Sequence, residues 1–276
     1  MTSVAQALGQ ARARGIASLD AQLLLARVLT TTRTGLIAND HRVLSLAETA
    51  LWSHWLDRRA AGEPVAYLLG EKEFSGLLFA VRPGVLVPRP ETELLVDWAT
   101  ELLDGHQRRS TVLDLGTGSG AIALALKHRC PHARVTATDA STVAFDAARS
   151  NAARLGLAVE LLAGSWWHAV ASRRFDLVVA NPPYVAAGDA HLDALRHEPV
   201  EALVSGADGL AALTAIAGSA VDHLEADGWL LLEHGFDQGP AVRALLAAAG
   251  LGDVGTRRDL ADHERVTAGR RLRTDR

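Results

Sequence analysis

The sequence has a single cysteine, which excludes both a disulfide framework and a zinc cage built from thiolates. Cys130 has no second thiol with which it could pair. Although there are 11 histidines, Pro131 separates His128 from His132 and breaks the helical face that such a pair of ligands would need. We therefore expect no metal ion.

Long apolar runs and positive charge are also scarce. No apolar run approaches the roughly 18 residues that a membrane-spanning helix needs, and the first residues lack the basic and apolar regions of a signal peptide. The formal net charge is −4 at pH 7, and Lys72 and Lys127 are the only lysines, which leaves little positive field to attract a polyanion. We expect a cytoplasmic protein with no membrane partner and no direct contact with nucleic acid.

What the chain does have is enough apolar residues for two cores. Of its 276 residues 49% are hydrophobic, which suffices for one large and one small domain. Apolar residues recur at helical spacing from Ser18 to Leu29 and from Leu46 to Leu56, which predicts a helical domain over residues 1–73. Two short apolar segments and the turn residues Pro83-Gly84 predict a β-hairpin and a stiff linker over residues 74–90.

From Glu91 onward, helical and strand patterns alternate. A helix is predicted to about Leu103, and the predicted strands lie near 112–115, 134–138, 158–162, 176–180, 229–233 and 266–272. Such alternation is typical of an α/β fold with a doubly wound, mostly parallel sheet. We assign it to a second domain over residues 91–276.

A glycine-rich turn follows the first strand of this domain. Thr111–Leu115 runs into Gly116-Thr117-Gly118-Ser119-Gly120, and a helical pattern begins at Ala121. Glycines permit positive φ and a close approach of a ligand to the backbone, while the helix N-terminus offers unpaired N–H groups. Gly116, Gly118 and Ala121 also satisfy the dinucleotide-binding pattern, so an NAD oxidoreductase is one alternative.

An acidic residue ends the next strand. Asp139 lies 19 residues beyond Gly120, where a carboxylate can accept hydrogen bonds from both hydroxyls of a ribose. The alternative is that Asp139 caps the helix that begins near Ser141, although Ser141 could serve as the cap itself.

The segment Asn181-Pro182-Pro183-Tyr184 follows the apolar run Phe175–Ala180. That run predicts a buried parallel strand, so the segment lies at the carboxyl end of a strand, where open α/β sheets bind ligands. The Asn181 side-chain oxygen and the Pro182 carbonyl can accept both hydrogens of one planar NH₂ group, while the Tyr184 ring packs on its face. The alternative is a stiff exit from the strand.

These motifs together resemble the class I S-adenosylmethionine-dependent methyltransferases. Segments outside the shared core resemble, more narrowly, the release factor glutamine N5-methyltransferase family. Those segments are Gly62–Gly70, Glu73–Leu77, Val87–Glu93, Trp229–Gly235 and Glu264–Arg270. Leu195–Pro199 and Val185 depart from the pattern of the family.

The resemblance implies a Rossmann-like methyltransferase domain, S-adenosylmethionine as cofactor and S-adenosylhomocysteine as product. The implied cofactor-binding residues are Asp114, Gly116, Thr117, Gly118, Ser119, Gly120, Asp139, Trp166 and Asn181. It implies a catalytic role for Asn181, Pro182 and Tyr184, with Pro183 as a further substrate contact. The implied partner is a peptide chain release factor, whose Gly-Gly-Gln loop supplies the glutamine. We expect the enzyme to act as a monomer.

Several of these roles have structural alternatives. Trp166 is expected to stack on adenine, although one of the adjacent pair Trp166 and Trp167 should lie in the core. Asp114 is expected to orient the methionine ammonium or to hold the glycine turn. For Glu233 and His234, which end a strand near the same sheet edge, the sequence indicates no definite role.

Two other functions remain open on the sequence. A planar NH₂ group also occurs on adenine and guanine, so the same motif could serve a methyltransferase that acts on an exocyclic amine of a nucleic-acid base. The chain could also be a non-catalytic binding protein that has kept the nucleotide fold. The acidic charge balance argues against the first alternative, and the intact Asn181, Gly118 and Asp139 argue against the second.

Overall fold

A computed structural model describes residues 1–104 and 110–273 of the chain. They form two compact units, Met1–Glu71 and Lys72–Arg276. Residues 274–276, the end of the predicted second domain, lie outside the described residues. In the two described ranges, no helix combines the length and the apolar character that crossing a membrane would require.

The first unit is helical, as predicted. Its helices are α1 (Val4–Ala13), α2 (Ser18–Val28), α3 (Arg33–Ala38), α4 (Leu46–Ala60) and α5 (Val65–Leu69). Capping boxes begin α1 and α4, because Ser3 with Gln6, and Ser45 with Glu48, exchange side-chain and backbone hydrogen bonds. Trp52 of α4 is fully buried in the core of this unit.

The β-hairpin lies earlier in the chain than the sequence predicts. Its strands are β1 (Glu71–Phe74) and β2 (Leu77–Ala80). The turn is Ser75-Gly76, where both residues have positive φ, which is the geometry that two-residue hairpins prefer. Pro83-Gly84 forms a separate turn after the hairpin, so the prediction that it joins the two strands was wrong. Strand β1 was not predicted because three of its four residues are charged.

The second unit contains a seven-stranded sheet. Its strands are β3 (Thr111–Leu115), β4 (Arg134–Asp139), β5 (Glu160–Ala163), β6 (Phe175–Ala180), β7 (Leu224–Glu233), β8 (Gly252–Arg258) and β9 (Glu264–Arg270). The order is β5-β4-β3-β6-β7-β9-β8, and all pairings from β5 to β7 are parallel. The predicted mostly parallel α/β sheet is therefore confirmed.

Six helices accompany the sheet in the described residues. They are α6 (Glu93–Asp104), α7 (Ala121–Arg129), α8 (Thr142–Leu155), α9 (Ala211–Gly218), α10 (Ala220–His223) and α11 (Gly239–Ala248). Strand order reverses at β3 and β6, since the chain continues from β3 to β4 on one side and returns to β6 on the other. Open sheets bind ligands at the carboxyl ends of strands at such a reversal. The glycine turn and the Asn181–Tyr184 segment both follow strands there.

The antiparallel edge was only half predicted. Strand β9 was expected, but β8 was not, because Gly252–Arg258 has two glycines and two arginines and no alternation of apolar residues. An edge strand of this kind is specified mainly by its pairing with β9 and not by local propensity.

Candidate active site

A cavity of about 280 Å³ opens at the carboxyl ends of β3, β4 and β6. The predicted residues that line it are Gly116, Thr117, Gly118, Ser119, Asp139, Trp166, Asn181 and Pro183. Asp114, Gly120, Pro182 and Tyr184 do not line it. The structure thus brings most of the predicted cofactor residues to one cavity, together with Asn181 and Pro183 of the proline-rich segment.

The backbone of the glycine turn is held in place by the neighbouring strand. The N–H groups of Gly116 and Thr117 both donate to the Thr138 carbonyl, at 2.9 Å. Gly116, Gly118 and Gly120 all have positive φ. A Cβ atom at Gly118 would meet nothing within 4 Å and would point into open space. Glycine is required here by the conformation of the turn and not by a close neighbour.

Asp114 lies beneath the turn and is completely buried. Its Oδ2 accepts hydrogen bonds from the Thr117 hydroxyl at 2.6 Å and from the Ala123 N–H at 3.2 Å. Its Oδ1 has no hydrogen-bond partner among the described residues. Burial raises the pKa of Asp114 to about 7, and the two hydrogen bonds oppose that shift. Asp114 therefore holds the turn through Oδ2, while its Oδ1 is an acceptor without a partner among the described residues.

Asp139 fixes the same turn from the end of β4. Its Oδ2 accepts from the Gly118 N–H and its Oδ1 from the Ser141 N–H, each at 2.8 Å. Burial raises the pKa of Asp139, and these backbone donors oppose the shift. Ser141, not Asp139, is the N-cap of α8, because its hydroxyl accepts from the Ala144 N–H at 3.3 Å. The capping alternative for Asp139 is thereby wrong.

The two adjacent tryptophans separate as expected. Trp167 is buried, donates its indole N–H to the Ile216 carbonyl at 3.1 Å and stacks on His223. Trp166 lines the cavity with its ring edge against Gly116, where a Cβ would come within 3.1 Å of the ring. Its φ of +44° is unusual for a residue with a side chain, and such backbone strain is common at functional sites.

Asn181 is anchored by a threonine that the sequence reasoning did not single out. The Asn181 Nδ2–H donates to the Thr92 hydroxyl oxygen at 3.1 Å. Thr92 itself is 4% exposed and ends the turn that leads into α6. With the amide nitrogen so engaged, the Asn181 Oδ1 is the atom left for a ligand, and no described residue donates to it.

The rest of the proline-rich segment is fixed through its backbone. Gln238 donates its side-chain N–H to the Tyr184 carbonyl at 3.0 Å. Gly209 passes so close to that carbonyl that any Cβ there would collide with it. The Tyr184 ring packs against the core beside β6 and β7, and burial raises its pKa to about 12, so the phenol stays neutral. Pro182 is buried.

A partly buried ion pair lies at the cavity, which Arg89 lines. Arg89 pairs with Glu198, whose other oxygen accepts from the Val87 N–H at 3.0 Å. Glu198 is only 7% exposed, and the neighbouring Pro199 lines the cavity. Glu198 lies in the segment that departs from the family pattern. It is 109 positions from Arg89 in the chain, so the sequence alone could not predict the pairing.

Asn151 is a second residue that the sequence reasoning missed. It is fully buried on α8, and its Nδ2 donates to the carbonyls of Ala80 and Ser119 at 3.0 and 2.9 Å. Its Oδ1 accepts from the Ala80 N–H at 2.8 Å. Asn151 thus ties the glycine turn to β2. The only available signal was an asparagine within a helix otherwise rich in alanine, which does not identify the partners.

His234 is a structural residue in this arrangement. Its Nδ1 donates to the Gly235 carbonyl and its Nε2 accepts from the Thr267 hydroxyl, both at 2.8 Å. Burial lowers the pKa of His234, which favours the neutral ring that this pair of hydrogen bonds requires. The ring is occupied on both sides and has no nitrogen left for a substrate.

Comparisons with known proteins concern the family and the fold of the chain. The chain matches the family model described as Methyltransferase small domain over residues 91–208 and the one described as PrmC N-terminal domain over residues 2–70. A Bordetella pertussis protein named release factor glutamine methyltransferase is 50% identical over 258 residues, which cover 92% of this chain and 95% of that relative. A Xylella fastidiosa protein of the same name is 47% identical over 267 residues, with 96% and 97% covered.

Solved structures share the fold at lower identity. A T. thermophilus 16S rRNA methyltransferase in complex with AdoMet and guanosine has a TM-score of 0.56 and 23% identity. The match covers 74% of this chain and 50% of that one. At this identity the likeness establishes the architecture alone, so the substrate has to be argued from the site and from the closer relatives.

Proposed function

Because this chain belongs to the release factor glutamine methyltransferase family, we propose that it methylates the glutamine of the Gly-Gly-Gln motif in a peptide chain release factor. The methyl group comes from S-adenosylmethionine and goes to the side-chain amide nitrogen, N5. One observation carries the proposal at the level of atoms: the hydrogen bond from Asn181 to Thr92 leaves the Asn181 Oδ1 as a fixed acceptor at the cavity wall. A fixed acceptor suits an NH₂ group, which has only donors to offer.

The proposed role of the protein side chains is to position the glutamine amide for attack on the methyl group. A carboxamide nitrogen is a weak nucleophile because its lone pair is delocalised into the carbonyl, and S-adenosylmethionine supplies an already activated methyl group. Asn181 Oδ1 and the Pro182 carbonyl accept the two N–H hydrogens of the glutamine and aim its lone pair. As the N–C bond forms, the nitrogen becomes positive, so these acceptors bind the transition state more strongly than the ground state. The surplus proton leaves to water.

Tyr184 has a supporting part in this proposal. Its ring packs on the core beside Asn181 and does not line the cavity. We assign it to holding the plane of the bound amide once the glutamine has entered. Its neutral phenol adds no charge to the nitrogen that turns positive, and Pro183 contributes an apolar wall.

The described residues fit S-adenosylmethionine as cofactor. The space above Gly118 is open, and Asp139 stands at the end of β4 with lone pairs left on both oxygens for ribose hydroxyls. Trp166 offers its ring beside Gly116 for the adenine. The unpartnered Asp114 Oδ1 suits the methionine ammonium, directly or through a water. A cation there favours the carboxylate form of Asp114.

Replacing Gly118 by alanine tests the cofactor site. Alanine at positive φ costs about 1–2 kcal/mol of stability, and its Cβ would also occupy the open space above the turn. We expect calorimetry to show about 10-fold weaker S-adenosylmethionine binding, equivalent to 1.4 kcal/mol. Gly156→Ala is the matched control, because Gly156 also has positive φ and open space around its Cβ but lies outside the cavity. Equal affinities in the two variants would remove Gly118 from the cofactor site.

The helical domain, residues 1–73, is proposed to hold the body of the release factor. A three-residue motif offers too little surface for a selective complex, since specific interfaces bury roughly 800 Å² per partner. The two glycines before the acceptor allow an extended loop with no side chains to collide with the rim of the cavity. We keep the expectation that the enzyme works as a monomer in the cytoplasm.

A competition among acceptors tests the substrate. Labelled S-adenosylmethionine is offered in parallel to a purified release factor, to unmodified DNA and to ribosomal RNA. We expect label in the release factor alone, and peptide mass spectrometry should locate one added methyl group on the glutamine of the motif. A release factor with glutamine replaced by glutamate lacks the NH₂ group and should stay unlabelled. Label in DNA or RNA, without label in the release factor, would favour the base methyltransferase instead.

A further inference from the structure

Glu233 is a buried carboxylate to which the proposed mechanism assigns no role. It ends β7, is 1% exposed, and neither of its oxygens has a hydrogen-bond partner among the described residues. Burying a carboxyl group without partners costs several kcal/mol. Packing does not explain such a residue, because an apolar side chain would fill the same space at no such cost.

Strand register places Glu233 beside the proposed catalytic asparagine. In the parallel pairing of β6 with β7, Ala180 lies opposite Leu232. The next residues, Asn181 and Glu233, therefore leave adjacent strands side by side at the carboxyl edge of the sheet. Helix α6, which begins directly after Thr92, packs against both strands.

The hydrogen bonds of Thr92 indicate what the carboxylate is for. Thr92 uses a lone pair to accept from the Asn181 Nδ2–H at 3.1 Å, so its single hydroxyl proton remains to be donated. Because Asn181 follows β6 beside Glu233 and is hydrogen-bonded to Thr92, the Thr92 hydroxyl lies near the Glu233 carboxyl group. Burial raises the pKa of Glu233, and the Thr92 hydroxyl opposes that shift. Glu233 offers two vacant acceptor oxygens at this point.

We propose that Glu233 is a positioning residue, which accepts a hydrogen bond from the Thr92 hydroxyl and so orients the amide of Asn181. Because the Thr92 hydroxyl donates its one hydrogen to Glu233, it can only accept a hydrogen bond from Asn181. The amide then has to turn its NH₂ group to Thr92 and its Oδ1 to the substrate. The opposite orientation would set one NH₂ group against another at the reacting nitrogen. This inference rests on the proposed role of Asn181.

The charges around Glu233 set a pH dependence. Arg265 on β9 and Arg89 lower its pKa, whereas Glu91 raises it, and Tyr184 stays neutral. Burial outweighs them and brings the pKa of Glu233 to about 7. Above that pH the carboxylate can only accept, so the orientation of Thr92 is fixed. Below it the protonated acid can itself donate to Thr92, and the constraint is lost. The wild-type turnover number should therefore fall as the pH drops through about 7.

Variants of Thr92 and Glu233 test this orientation in the full chain. For Thr92→Val we expect a turnover number lower by about 5- to 20-fold, with KM and cofactor affinity changed less than about 2-fold. Thr92→Ser keeps the hydroxyl and should restore the rate. Glu233→Gln has an NH₂ group that can donate to Thr92, as the protonated acid does, and it cannot titrate. At about pH 8 it should therefore be as slow as the wild type is well below pH 7, and it should not show the fall near pH 7. Thr100→Val is the matched control, because the Thr100 hydroxyl donates to the Val96 carbonyl on α6 and does not line the cavity.

Two outcomes would overturn the inference: a Thr92→Val enzyme as fast as Thr100→Val, or a Glu233→Gln enzyme with the wild-type pH profile. A second measurement needs no substrate and so separates this inference from the proposed function. The side-chain NH₂ resonances of Asn181 in ¹⁵N-labelled enzyme should be a single sharp pair in the wild type. They should broaden in Thr92→Val and also when the wild type is brought well below pH 7. Equally sharp resonances in all samples would contradict the inference, whatever the acceptor proves to be.

Discussion

Replacing Asn181 by alanine is expected to lower the turnover number by ~10² or more, the usual effect of removing a preorganised polar contact at a reacting centre. The variant loses the Oδ1 that receives the glutamine N–H, and it also leaves the Thr92 hydroxyl without its donor. Cofactor affinity should change little, because the residues proposed to hold the ribose, the adenine and the ammonium lie on β3, β4 and the turn after β5. Steady-state kinetics with a purified release factor, together with calorimetry for the cofactor, measure the two effects separately.

Asn181→Asp is the informative companion to this variant. Aspartate keeps an oxygen for the substrate but cannot donate to Thr92, and it adds a negative charge beside the buried Glu233. We expect it to be nearly as slow as the alanine variant. A near-normal rate would mean that any acceptor suffices at this position, and the argument for a neutral, oriented amide would fail. Asn39→Ala, on the exposed end of α3, controls for unspecific effects.

The parts of the site that sequence could predict are those specified by neighbouring residues. The glycine turn depends on positive φ at Gly116, Gly118 and Gly120, and only glycine adopts that conformation freely. Asp139 was located because a short apolar strand ends there. The position of Asn181 at a sheet edge followed from the six buried residues before it. Each of these predictions rests on residues that are close together in the sequence.

The parts that sequence could not predict depend on residues brought together from distant positions. Glu198 meets Arg89, Asn151 meets Ala80, and Thr92 meets Asn181 across 109, 71 and 89 residues of chain. Nothing local distinguishes these side chains from solvated ones. The hairpin turn shows a different limit, because a serine with positive φ at Ser75 carries no recognisable sign in the sequence.

Asp139→Ala is expected to weaken S-adenosylmethionine binding by about 1.5–3 kcal/mol, the range for hydrogen bonds to a charged group, or roughly 10- to 150-fold in Kd. Two contributions combine in this loss. The ribose hydroxyls lose their proposed acceptor, and the N–H groups of Gly118 and Ser141 lose the oxygens that now hold the turn in place. Calorimetry on the folded variant measures the change in affinity.

Two further variants serve as comparisons for Asp139→Ala. Asp139→Asn retains one acceptor oxygen and should show a smaller loss than the alanine variant. Asp146→Ala removes an exposed aspartate from the same region, whose ion pair is with Arg149 on its own helix, and should bind the cofactor like the wild type. If Asp139→Ala also did so, the ribose contact would be wrong. Wild-type enzyme that bound NADH and not S-adenosylmethionine would overturn the cofactor itself, because a carboxylate at the end of β4 serves a nicotinamide dinucleotide equally well.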